Sequence, residues 1–309
     1  MTATPSRPPL LLQRRRALGA LAALAACGSG LARAAGWPQR PINLVVPFAA
    51  GGGTDTVARL IGQKLQAALG GTVVIDNKPG ANGLIAALAS KQPVAPGKSM
   101  QEAFTIVSVM ANAPLVLAVR ADSPARDLRA FLQQAKTGKL SYGSFGAGSS
   151  AHVMGEVLAE SAGVELLHVP YKGSSPAVTD LMGGQVDAVF LTVAAVEAMV
   201  TAGSVRPLAV TGLRRVRSLP AVPTFEELGV RDMGNAGWFA VFAPAGTPEP
   251  VVTRLATALQ AIAGDAEVQA RMVALGLEPV VSTPAQALQT WRRSLASAAP
   301  VVKKANIVF

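Results

Sequence analysis

Two stretches of this 309-residue chain have the composition to hold a small anion without a cationic side chain. The first is Pro47-Phe48-Ala49-Ala50-Gly51-Gly52-Gly53-Thr54-Asp55. The second is Tyr142-Gly143-Ser144-Phe145-Gly146-Ala147-Gly148-Ser149-Ser150-Ala151-His152. Glycine lets backbone approach a ligand closely, and Thr54, Ser149 and Ser150 add hydroxyl donors. If each stretch carries the chain from a strand into a helix, the unpaired N–H groups of the first helical turn point outward and the helix dipole favours negative charge there. Neither stretch contains Lys or Arg, so an anion held there would rely on amides, hydroxyls and dipoles. A third candidate is His168-Val169-Pro170-Tyr171-Lys172-Gly173-Ser174. The plainer alternative is that the glycines make tight turns, that Asp55 or Ser150 caps a helix, and that Lys172 is a solvated surface residue. Two such loops at equivalent positions weigh against turns alone.

Other chemistry fares worse. Gly146-x-Gly148-x-x-Ala151 has dinucleotide-fingerprint spacing, but the next strand ends in Val169-Pro170 without the acid that would hold a ribose. No Gly-x-Ser-x-Gly elbow is completed around Ser149 or Ser174, and no Walker lysine follows a glycine loop. His152 reads as a residue near a helix start rather than a general base, and His168 as a strand residue. One Cys and two His leave no disulfide framework and no thiolate-based metal centre. No catalytic residue, metal or cofactor is therefore expected. Arg214, Arg215 and Arg217 form a basic cluster, but 5% aromatics supply little stacking platform, so no nucleic-acid partner is expected.

The elements that must position the loops follow from periodicity. Residues 42–47 read as a buried strand, and Val57, Leu60, Ile61, Leu65 and Leu69 recur at helical spacing until Gly70-Gly71. A strand over 72–77 leads to a turn and a short helix to Lys91. Strands are predicted at 104–110, 115–119, 140–144, 165–170, 186–191, 207–211 and 238–243. Helices are predicted around Leu128 to Ala135, at 151–162, 176–182 and 193–202, after Pro248 as a first-turn proline, and at 265–275 and 284–304. Strand and helix alternate throughout, the signature of βα units in mostly parallel sheets, and two similar α/β halves are the simplest arrangement.

The segment 1–34 stands apart: five arginines, no acid, a basic run Arg14-Arg15-Arg16, a short apolar core from Ala17 to Ala26, and a small-x-small site at Ala32-Arg33-Ala34. Removing it lowers the formal net charge from +10 to +5. Export is expected, with cleavage after Ala34. The alternative is lipidation, because Leu24-Ala25-Ala26-Cys27 resembles a lipobox in which Cys27 is acylated and serves as an anchor.

The chain resembles the extracytoplasmic solute receptors of tripartite tricarboxylate transporters, also called Bug proteins. The likeness rests on Trp37-Pro38 with Pro41-Ile42, the loop from Pro47 to Asp55, Asn77-Lys78-Pro79-Gly80-Ala81-Asn82-Gly83, the loop from Tyr142 to His152, and His168 to Gly173. It continues in Asp180-Leu181-Met182-Gly183-Gly184-Gln185-Val186 and in Trp238-Phe239 with Ala243-Pro244-Ala245-Gly246-Thr247-Pro248. The resemblance implies a type II periplasmic-binding-protein fold: an α/β chain of two domains with a carboxylate in the cleft between them. Domain 1 would combine 37–116 with 238–309, and domain 2 would be 117–237. First-domain contacts would fall on Phe48, Ala49, Gly52, Thr54 and Asp55, and second-domain contacts on Ser144, Gly146, Ser149, Ser150, His152, Tyr171, Lys172 and Gly173. The partners implied are a small organic carboxylate and the membrane subunits of a tripartite transporter, with the receptor itself a periplasmic monomer.

Two departures from the family pattern stand out. A strand and a ligand-facing loop are missing between Pro96 and Glu102, so the first domain is expected to be shortened. Leu191-Thr192 replaces a usual Asp-Asn pair. The alternative function is an exported interaction or sensor protein of the same fold whose ligand binding is altered or lost. A periplasmic enzyme would need turnover without a triad or metal set.

Overall fold

The computed structural model describes residues 36–80, 86, 99–234 and 237–307. The expected signal segment with Cys27 lies outside the described residues, as does, apart from Ala86, the helix expected to run to Lys91. Among the described residues no helix is long and apolar enough to cross a membrane.

The strands are β1 (Ile42–Val46), β2 (Val73–Asn77), β3 (Phe104–Ala113), β4 (Leu115–Arg120), β5 (Leu140–Ser144), β6 (Leu166–Pro170), β7 (Ala188–Thr192), β8 (Val205–Val210), β9 (Gly237–Pro244) and β10 (Glu278–Pro279). The helices are α1 (Gly53–Leu69), α2 (Met100–Ala103), α3 (Leu128–Thr137), α4 (Ser150–Ala162), α5 (Ser174–Met182), α6 (Val193–Thr201), α7 (Glu249–Gly264), α8 (Ala266–Ala274) and α9 (Pro284–Lys304). Helices α1 and α4 both stop at glycines in the left-handed region, Gly70 and Gly163, where the sequence pattern ends them. Pro248, expected inside the first turn of α7, stands just outside it as the N-cap residue, and Pro250 takes the first-turn place.

The second lobe is a five-stranded sheet ordered β6-β5-β7-β4-β8. Side chains alternate across β4, sending Leu115, Leu117 and Val119 into one core with Phe131, Leu158 and Phe190, and Val116 and Ala118 into another with Leu181 and Val196. Both faces are covered, which explains the near-continuous apolar runs. The expectation of mostly parallel sheets is corrected here. Strand β5 runs parallel to β6 and β7, but β4 runs antiparallel to β7 and β8, because it arrives directly from β3 rather than by a helical crossover.

The first lobe is built on two smaller sheets, β1-β2 and β10-β3-β9. Its core joins Val57, Ile61 and Leu65 of α1 to Met110 of β3 and Leu259 and Ile262 of α7. Of the segment where the shortening was expected, residues 96–98 lie outside the described residues. Residues 99–103 form only the single turn α2, with Glu102 accepting from the Ser99 backbone N–H. Among the described residues β1 pairs with β2 alone and β9 with β3 alone, so each keeps an unpaired edge. Helix α9 packs on β3 and reaches the other lobe, where Val301, Val302 and Ile307 join the second core and Lys304 pairs with Glu160.

Candidate functional site

The loops after β1, β5 and β6 meet between the lobes. Phe48 and Phe145 pack edge to face across the gap, with ring centres 5.6 Å apart. The Ala49 N–H donates to the Lys172 carbonyl at 3.1 Å, and the Ser175 hydroxyl donates to the Ala50 carbonyl at 3.0 Å. Gly173, at φ 136°, makes this approach possible: a Cβ there would lie 3.0 Å from the Ala49 nitrogen.

Behind the contact lies one cavity of about 1260 Å³. Four helix N-termini are presented to it, those of α1, α4, α5 and α6, through Gly52, Gly53 and Thr54, Ser149 and Ser150, Ser174, and Thr192. The N-cap residues of α1, α5 and α6 are Gly52, Gly173 and Thr192, and none makes a side-chain capping bond. Their first-turn amides lack the intramolecular acceptor that an Asp or Ser cap supplies. No described lining residue is Lys, Arg or His. Thr192 Oγ1 is buried without a hydrogen-bond partner, and its residue is 6% exposed. A buried unpaired hydroxyl costs stability unless something else satisfies it.

Of the residues anticipated as ligand contacts, Phe48, Gly52, Thr54, Ser149 and Ser150 line the cavity. Ala49, Lys172 and Gly173 bridge the lobes through backbone. Asp55, Ser144, Gly146 and His152 stand behind the wall. The buried Asp55 carboxylate accepts from the Gly51 amide at 2.9 Å, Arg59 Nε at 2.9 Å and Asn77 Nδ2 at 3.0 Å, and Asn77 also donates to the Phe48 carbonyl at 3.1 Å. Burial alone would raise its pKa, but these hydrogen bonds outweigh burial and hold it below the ordinary value.

The second loop is shaped by its histidines. Gly148 N–H donates to His152 Nδ1 at 3.0 Å, which leaves the ring proton of a neutral His152 on Nε2, 3.6 Å from Glu156. His152 stacks on His168 at 3.7 Å, and His168 Nε2 bonds the Ser144 hydroxyl at 2.7 Å. That hydroxyl accepts from the Gly146 amide at 3.1 Å, and Ser149 Oγ caps α4 by accepting from His152 N–H. Gly155 of α4 leaves room for Tyr142, since a Cβ at Gly155 would lie 2.3 Å from the phenol oxygen. That phenol is shared between the His152 carbonyl and Glu156, each at 3.3 Å. Tyr171 donates to Asp180 at 2.6 Å, and burial followed by Asp180 pushes its pKa up to about 12.

Burial, then the neighbouring His152, pushes the His168 pKa down to about 4 from the ordinary 6.5. The unfolded chain therefore takes up this proton before the folded one does, and stability should fall as pH drops from about 6.5 to 4. The check is thermal unfolding across that range against His168→Gln. The variant is expected to show the shallower slope, and equal slopes would assign the loss to other groups.

Gly53, Phe145, Gly148, Ser174, Thr192 and Gly237 also line the cavity, although the sequence did not mark them as contacts. Gly53, Phe145, Gly148 and Ser174 lay inside the three candidate loops. Thr192 registered only as a departure from a family pattern, with no glycine beside it to mark a loop.

A family model described as tripartite tricarboxylate transporter family receptor (TctC) matches residues 91–307. Protein BugT of Bordetella pertussis is 35% identical over 276 residues, covering 81% of this chain and 84% of its own. Among solved structures, R. palustris Rpa4515 with adipate has a TM-score of 0.83 at 33% identity, covering 88% of this chain and 99% of the other. MatC (Rpa3494) from Rhodopseudomonas palustris with bound malate has a TM-score of 0.78 at 28% identity, covering 86% and 100%.

Proposed function

The chain belongs to the tripartite tricarboxylate transporter family of receptors, and from that premise we propose that it is an exported, non-enzymatic receptor that encloses an organic carboxylate between its lobes. It would pass the ligand to membrane subunits of a tripartite transporter, working in the periplasm as a monomer. Export would use the arginine-rich segment 1–34, by cleavage after Ala34 or by an anchor at Cys27. The lobes would divide as 37–116 with 238–309, and 117–237.

The observation that carries this reading is the convergence of four helix N-termini on one cavity with no described cation in its lining. That field suits an anion held by amides and hydroxyls. Thr54, Ser149, Ser150, Ser174 and Thr192 would supply hydroxyls, and the amides after Gly52 and Gly173 would point at the carboxylate. Asp55, Ser144, Gly146 and His152 would hold the loops in shape, and Tyr171 and Lys172 would position the closing stretch of backbone. Adipate and malate in the two related structures support a carboxylate as the ligand class. The edges of β1 and β9 that no strand among the described residues pairs are the feature that favours the second reading, an exported interaction or sensor protein.

The two readings separate in a melting experiment with citrate, malate, adipate, acidic amino acids and aromatic acids. A ligand at one hundred times its Kd should add about 2.7 kcal/mol, a rise of several degrees in Tm. Flat curves from cooperatively folded protein would discard the receptor reading. Thr192→Val supplies a sharper check with two opposite signs. Replacing the unpaired hydroxyl by a methyl should stabilise the ligand-free protein by about 1 kcal/mol and weaken the best carboxylate about tenfold. Unchanged affinity would remove Thr192 from the site.

A further inference from the structure

The cavity does not end at its polar groups. Beyond Thr54, Ser149 and Thr192 it continues between the two sheets of the first lobe, along the edges of β1 (Asn43 to Val46) and β9 (Trp238 to Phe242) that no strand among the described residues pairs. Its walls there include Val57 and Ile61 of α1, Met110 of β3, Val241 of β9, and Trp291 and Leu295 of α9. The whole space, about 1260 Å³, exceeds the roughly 300–1,000 Å³ usual for small-ligand pockets. Met100, Phe242 and Leu295, three of the large apolar side chains this protein leaves exposed, line this same space. Asp76 is the one charged residue among its described lining.

We propose that the ligand is a monocarboxylate with a bulky apolar body, of the chemistry of a medium-chain fatty acid, whose headgroup sits at the helix N-termini and whose tail fills the gap between β1 and β9. The proposal rests on the carboxylate reading above and adds what lies beyond the headgroup. A second carboxylate at the far end would be stripped of water against apolar walls with no cation among the described lining to meet it, since Lys78, the cation beside Asp76, is already paired with that carboxylate at 3.2 Å. An alkyl tail meets the opposite situation, because each methylene exchanges water for hydrocarbon. Binding should tighten about three- to fourfold per methylene until the chamber is full, the equivalent of roughly 0.8 kcal/mol each.

The test is calorimetric titration of the full mature chain with straight-chain monocarboxylates from four to twelve carbons, the matching dicarboxylates, and decan-1-ol. Rising monocarboxylate affinity to about ten carbons, with the ten-carbon dicarboxylate at least tenfold weaker, is the expected result. Tightest binding by dicarboxylates of four to six carbons would overturn the apolar-body proposal while leaving the carboxylate reading standing. Decan-1-ol binding as tightly as decanoate would overturn the carboxylate reading itself. Ala298→Phe, on the α9 wall of the chamber, should shift the optimum to shorter acids in protein that still unfolds cooperatively. An unmoved optimum would put the tail elsewhere and overturn the proposal.

Discussion

Gly173→Val is expected to leave both lobes folded and to prevent the loops from closing over a ligand. A Cβ at this position would lie 3.0 Å from the Ala49 nitrogen and 3.3 Å from its Cβ, so the opposite loop must retreat. Retreat breaks the bond from Ala49 N–H to the Lys172 carbonyl and loosens the Ser175 contact with Ala50. Opening relieves the clash, so that part of the penalty falls on the closed state alone. The clash and one lost hydrogen bond together amount to about 1–3 kcal/mol, or roughly five- to 150-fold in Kd, while the backbone strain at φ 136° burdens the open and closed forms alike and lowers folding stability instead. Small-angle scattering with saturating wild-type ligand checks it. The wild type should contract and the variant should not. Contraction at normal affinity would show that the contact between these loops has no part in enclosing the ligand.

Asp55→Ala should give the largest loss of folding stability among these variants. The Asp55 carboxylate is 3% exposed and accepts from the Gly51 amide, Arg59 and Asn77, and Asn77 in turn holds the Phe48 carbonyl. Truncation leaves the half-buried Asn77 donor without its acceptor, while Arg59, whose side chain is 55% exposed, and the exposed Gly51 turn to water. An unpaired donor of this kind and the lost charge-assisted bonds cost about 1–3 kcal/mol in total, and the loop that carries Phe48 and Gly52 loses its shape, so carboxylate affinity should fall as well. The pH dependence has a definite sign. The folded-state pKa lies below the ordinary 3.8, so the contribution is complete above that value and is lost as pH falls through the lower folded value. Denaturant unfolding at pH 7 and at pH 3 checks this: the gap between wild type and variant should be wide at pH 7 and should narrow at pH 3. A constant gap would mean that the lost stability comes from packing and not from the ionised carboxylate.

Much of the fold was legible because it is written in local patterns. The spacing of Val57, Ile61 and Leu65 marks α1, and Gly70 and Gly163 end α1 and α4 because each adopts a left-handed conformation there. The glycine loops were legible as candidate binding segments for the same reason, since each follows a strand and opens a helix. Less legible was strand direction. The apolar run 115–119 reads the same beside a parallel or an antiparallel neighbour, and only its arrival from β3 decides between them.

Around the cavity, residue type marked which loops border it but not which side chains face it. Ser144 and His152 belong to the same motif as Ser149 and Ser150, yet they bond to His168 and the Gly148 amide behind the wall. Thr192 carried no local signal, because its unpaired hydroxyl exists only where β7 of one lobe comes against Gly53 of the other.

By itself, then, the chain determined an alternating α/β protein with glycine-rich turns at the ends of its strands, two of them without Lys or Arg, because periodicity and backbone freedom act over a few residues. The tertiary structure decided that those turns meet, that Thr192 joins them, and that one cavity is lined by both β1 and β9. Each of these depends on contacts between segments far apart in sequence, such as Ala49 with Lys172, and no local pattern encodes such a distance.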